Sequence, residues 1–150
     1  MMTKNQLVSR MQQAKVIISL LFIAFFLTAC ATAFHSPDFE KDAFAANTEL
    51  NSFLVANKSK AENIAYKDVI ADYNKIEVLL DKMVLRARLV DNNEKTAEIA
   101  EKIRGNFRDM RATHQEEVSA TPKFFAGKQM TYETLFYSLL LAEKSKPESK

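Results

Sequence analysis

A chain of 150 residues that is 47% hydrophobic, with 11 phenylalanines, can build one real core, and its 2 glycines and 3 prolines permit long helices almost everywhere. The formal charge of +2 says nothing about polyanionic partners: Lys4, Arg10 and Lys15 precede residue 30, so of 21 Lys and Arg only 18 remain beyond it against 19 Asp and Glu, a net of −1. One cysteine allows no internal disulfide and no cysteine-built zinc site, and no basic–aromatic motif points to nucleic acid.

The chain opens with the three parts of an export signal. Its early charges are all positive, and residues 16–27 (VIISLLFIAFFL) form an apolar run broken only by Ser19. As a helix this run would span roughly 18 Å, short of the ~30 Å hydrocarbon core, so it reads as a signal segment and not a membrane span. It ends in Leu27-Thr28-Ala29-Cys30, which resembles the lipobox of bacterial lipoproteins at all four positions. The resemblance implies cleavage after Ala29, diacylglycerol on the Cys30 thiol and an N-acyl chain such as palmitate on the new terminus. That is an anchor of several chains, where two already suffice. Ala31 and Thr32 are not acidic, so the outer membrane, facing the periplasm, is expected in preference to the inner one.

Residues 1–29 are therefore expected as signal peptide, 30–36 as a lipidated tether, 37–144 as a helical bundle and 145–150 as a disordered tail. Ser36-Pro37 is an N-cap followed by proline at the first helical position. Phe39, Ala43, Ala46, Leu50 and Phe53 then form one helical stripe ending near Asn57, with a break at Asn47-Thr48 as the alternative. Ser59-Lys60-Ala61-Glu62 matches a capping box and predicts a second helix from there. Its stripe of Val69, Tyr73, Ile76, Leu80, Met83, Ala87 and Val90 alternates steps of four and three, the mark of lengthwise packing along a partner helix.

Asp91-Asn92-Asn93 stops that helix, and a third from about Glu94 to Val118 carries Ile99, Ile103, Phe107, Met110 and His114 on one face. So short a connection forces an antiparallel hairpin. Folding back around Asn92 sets Asp81 opposite Arg104, Glu77 opposite Arg108, Arg86 opposite Glu98 and Asp72 opposite Arg111, each pair of opposite sign. The arginines thus read as interhelical partners, not as a phosphate-binding patch.

Ser119-Ala120-Thr121-Pro122 ends the third helix, a loop to Gly127 carries Phe124 and Phe125 back to the core, and Thr131 is the expected cap of the last helix. Tyr132, Leu135, Phe136, Leu139 and Leu140 form its stripe. Tyr137 and Leu141 widen the stripe beyond one docking face, so either this helix is wedged deep in the bundle or Tyr137 and Leu141 meet a partner.

No catalytic constellation emerges. Neither His35 nor His114 sits in a metal-ligand spacing, no nucleophile elbow is present, and the glycines are too few for a phosphate loop. Met83, Met110 and His114 could in principle ligate haem inside a bundle, whereas methionine is commonly a core filler. The chain is thus expected to be all-α, an antiparallel bundle of three to four helices, and not an enzyme. Its expected role is that of a lipid-anchored envelope adaptor or assembly factor, which resembles secretin pilotins in architecture alone, with no cofactor beyond the acyl chains on Cys30. A small-molecule or haem-binding module, and an exclusion, inhibitor or immunity lipoprotein, are the competing readings. The expected partners are the membrane and one envelope protein, met through a surface that includes Tyr137 and Leu141.

Overall fold

The computed structural model describes residues 33–148, so the leader and Cys30 lie outside the described residues. Ser36 Oγ accepts from the Phe39 amide (3.3 Å) and Pro37 occupies the first turn, so α1 (Pro37–Lys58) begins where the sequence places it. It runs unbroken through Asn47-Thr48, with its whole stripe buried. In its last turns Asn57 Nδ2 donates back to Phe53 O (2.8 Å), and Ser59 Oγ takes up the Val55 carbonyl (2.8 Å), one of the last four.

That use of Ser59 overturns the expected capping box, because the residue closes α1 and opens nothing. The chain instead forms a two-residue strand, β1 (Ile64–Ala65), then a 3-10 turn (Tyr66–Asp68), and α2 (Ile70–Leu89) starts well after Ser59. β1 pairs antiparallel with β2 (Ser119–Ala120), Ile64 opposite Ala120, and both of these side chains are buried. Without a partner strand 55 residues away, nothing local would hold this segment extended.

α2 buries Tyr73, Ile76, Leu80, Met83 and Ala87 as its spacing requires, while Val90 lies beyond the helix end and is half-buried. Asn92 takes the left-handed conformation (φ 56°) that asparagine tolerates, and Asn93 Nδ2 caps the Ala87 carbonyl (2.8 Å). α3 (Glu94–Glu116) follows. Val118 ends it at φ 63°, a strained position for a β-branched residue, held by hydrogen bonds from its amide to Gln115 O and from the Tyr66 amide to its carbonyl.

α4 (Pro122–Lys144) starts nine residues earlier than the expected cap at Thr131. Thr121 Oγ1 accepts from the Phe124 amide (3.2 Å) and Pro122 follows, the same Ser/Thr-Pro device that starts α1. Gly127 lies inside the helix, and Phe124 and Phe125 reach the core from its first turn.

Each helix packs antiparallel against the next, and α4 closes the ring on α1, giving an up-down-up-down four-helix bundle. Of the expected α2–α3 ion pairs, Asp81–Arg104 (3.1 Å) and Glu77–Arg108 (2.8 Å) form. The other two do not. Arg86 turns to Asp42 (3.2 Å) and Asp38 (3.5 Å) on α1, and Arg111 reaches Glu77 (2.5 Å), Asn74 (2.7 Å) and the Tyr66 hydroxyl (3.0 Å). The physical reason is the third dimension: α2 has α1 on its other flank, and the 3-10 turn delivers Tyr66 to the end of the hairpin.

Candidate functional site

The apolar residues that the last helix has in excess lie in solvent. Tyr137 is 69% exposed and Leu141 55%, so α4 is not wedged deep in the bundle on this side. Met130 (75% exposed) precedes Tyr137 by seven residues and Leu141 follows it by four, which puts all three in one line on the outer face. On α1, Phe44 and Val55 are also exposed and repeat the same spacing around Asn51. Asn51 Oδ1 accepts from Gln129 Nε2 (3.4 Å), beside Met130, and the Ser36 amide meets Glu143 at the other end of the pair. Phe44 is therefore level with residues 136–137, and the two apolar lines run side by side along the outer α1–α4 face. The sequence pattern identified Tyr137 and Leu141; Phe44, Val55 and Met130 escaped it because their faces depend on which neighbour each helix takes. A second exposed line, Val78, Leu85 and Leu89, runs along α2.

Met83, Met110 and His114 are all fully buried, but they do not form an open ligand site. His114 Nε2 lies 2.8 Å from the Ile64 carbonyl, which only accepts, so Nε2 carries the proton. Nδ1 then accepts from the Tyr73 hydroxyl at 3.0 Å. Tyr66, Tyr73 and Phe125 present rings to the imidazole at centroid distances of 5.5–5.7 Å, edge-on. Both nitrogens are engaged, and the residue ties the β1 strand onto the helices. Burial drives the Tyr73 hydroxyl pKa far up, keeping it a neutral donor, and it does the same to Tyr132, whose buried hydroxyl has no hydrogen-bond partner among the described residues.

The opposite end of the bundle holds the other buried polar hub. Glu143, fully buried on the last turn of α4, accepts from the Ser36 amide through Oε1 (2.7 Å) and pairs with Lys146 through Oε2. Lys146 also bonds Asn93 in the α2–α3 turn, and the His35 amide donates to Pro147 O (2.9 Å). His35 lies 3.5 Å from Glu143 and 3.4 Å from Glu40. Residues 33–36 and 145–148, the described parts of the expected lipidated tether (30–36) and disordered tail (145–150), thus clasp each other across the bundle end. The missed signal was Glu143 itself, an acidic residue in phase with Tyr132, Phe136 and Leu139.

Electrostatics elsewhere is structural. Burial pushes the Asp42 carboxyl up, but hydrogen bonds and charge from Lys82 (2.7 Å) and Arg86 more than offset this and hold it below its usual range. A hydrogen bond from Arg111 to the Tyr66 hydroxyl, with Glu77 adding to it, raises the arginine further. A shallow cleft of about 210 Å³ between α3 and α4 is lined by Asn106, Asp109, Lys128, Thr131 and Tyr132; it offers neither a histidine nor a second carboxylate. Among the described residues no cluster of His, Cys, Asp and Glu could hold a metal ion, and no helix is long and apolar enough to cross a membrane.

These features define a four-helix bundle with filled polar hubs at both ends and an apolar outer face. No family model, curated protein or solved structure matches the chain.

Proposed function

We propose that this chain is a lipid-anchored protein of the cell envelope, held by acyl chains on Cys30 in the outer membrane facing the periplasm, and that it works as a non-enzymatic adaptor or assembly factor. The observation that supports the adaptor role is the double apolar line of Phe44, Val55, Met130, Tyr137 and Leu141 on the outer α1–α4 face. Exposed apolar side chains aligned over two adjacent helices are the form of a helix-binding or groove-binding surface, whereas scattered single ones need no explanation. The anchor rests on the leader and the four lipobox positions, Leu27-Thr28-Ala29-Cys30. Engagement of both His114 nitrogens speaks against the haem-module alternative.

A photo-crosslinking residue at Tyr137 in the lipidated protein, in its own envelope, should give one dominant protein adduct that is absent when the same residue replaces exposed Lys67. Tyr137→Glu with Leu141→Glu should abolish partner capture while leaving helicity and melting temperature unchanged. Equal labelling at residues 137 and 67 sinks the adaptor reading. Cys30→Ala should leave a larger precursor without fatty-acid label; normal processing of that variant sinks the anchor.

A further inference from the structure

The lipid anchor constrains how the bundle is presented. Cys30 is separated from Phe34 by four peptide steps, at most about 14 Å of extended chain. Chain beyond that point has no slack, because the Ser36 amide is bonded to buried Glu143 and the His35 amide to Pro147 O, both on the bundle end. A lipid on Cys30 therefore keeps this end of the bundle within reach of the membrane–water interface.

That end carries two large apolar side chains in solvent. Phe34 is 55% exposed, and Leu89, the last residue of α2, is 71% exposed. Leu89 belongs to the same end because Asn93, four residues on, meets Lys146 of the clasp. The charges around them are balanced: exposed Lys41, Arg88 and Lys95 are matched by Asp38, Asp91 and Glu94. Such a rim neither drives deep insertion nor needs anionic lipid, and it suits shallow seating of apolar side chains among headgroups.

We propose that the bundle end bearing Phe34 and Leu89 seats directly on the lipid surface, so that the helices stand away from the membrane. This rests on lipidation of Cys30. The outer α1–α4 face would then be presented sideways, with Met130 about 21 Å along α4 from Lys144.

The chain contains no tryptophan, so single substitutions report cleanly. Phe34→Trp, Leu89→Trp and Met130→Trp, each lipidated and with the acyl mass verified, would be placed in phosphatidylcholine vesicles with brominated acyl chains, with and without phosphatidylglycerol. Fluorescence at positions 34 and 89 should be quenched several-fold more than at 130, equally in both lipid mixtures. All three positions are exposed, so the bundle should keep its fold, checked by circular dichroism. Equal quenching at 34, 89 and 130 in protein of verified acyl mass overturns the seating alone. Absence of the diacylglycerol mass on the chain overturns the anchor reading beneath it.

Discussion

The two ends of the bundle solve one problem with opposite chemistry. Each must fasten non-helical chain onto helix termini, and each does so with a single fully buried polar side chain near the C-terminus of a helix, His114 on α3 and Glu143 on α4. At the His114 end the partners are neutral, a backbone carbonyl and a tyrosine hydroxyl, set among aromatic rings. At the Glu143 end the partners are Lys146 and a backbone amide 107 residues away in sequence. The His114 hub sits deep because neutral hydrogen-bonding partners meet both ring nitrogens there; the ionic hub lies where Lys146 keeps a path to water. The difference separates a core device from a clasp.

Substitutions at the two hubs should differ accordingly. His114→Leu strands the Ile64 carbonyl and the Tyr73 hydroxyl inside the aromatic cluster, and should cost about 3 kcal/mol in urea unfolding, with loss of amide protection across β1 and β2. Glu143→Leu should cost about 2 kcal/mol, because Lys146 can swing out to solvent, and its signature is local: rapid amide exchange at Ser36 with the helices still protected. If both variants lose protection everywhere alike, the distinction between core device and clasp is wrong.

Asp42 tests the ion pairs beside the clasp. Its lowered pKa means that it contributes stability above the unfolded carboxylate value, and that this contribution fades as pH falls through the lower folded one. Asp42→Asn should therefore cost about 1 kcal/mol at neutral pH, with the gap to the unchanged protein closing below about pH 4. Two buried tyrosines sharpen the account of the aromatic end. Tyr73→Phe removes a bonded hydroxyl and should cost about 1 kcal/mol, whereas Tyr132→Phe removes an unpartnered one and should be neutral or slightly stabilising. A clear gain is expected at Gly127: a Cβ there meets nothing within 4 Å, so Gly127→Ala should raise stability by about 0.5–1 kcal/mol.

Legibility of the fold followed the range of the forces involved. Stripes on α1, α2 and α3 were readable because burial on a helix repeats with the helical period, and Phe39, Tyr73 and Phe107 all lie where that period puts them. The reversal at Asn92 and the pairs Asp81–Arg104 and Glu77–Arg108 followed from one short turn. Reading Gly127 as a loop marker hid the start of α4, although Thr121-Pro122 repeats the Ser36-Pro37 signal; a helix packed on two neighbours tolerates the ~1 kcal/mol that glycine costs. In the candidate surface, Tyr137 and Leu141 were visible as excess apolar residues on one helix, while Phe44 and Val55 were not, since a face counts as outer only once the neighbours are known.

The amino-acid order by itself determined the lipobox pattern, the existence of long helices, their apolar faces and the hairpin of α2 and α3, because each rests on residues within a few turns of one another. Only the tertiary structure decided that Ser59 closes a helix and opens none, that Ile64 finds a strand partner at Ala120, and that Arg86 prefers α1 to α3. It alone showed that Glu143 joins the segment before α1, at Ser36, to the segment after α4, at Lys146. For Ile64, Arg86 and the Ser36–Glu143 bond the partner lies far away in sequence. A hydrogen bond or ion pair depends on what stands within about 3 Å, and local pattern carries no information about that.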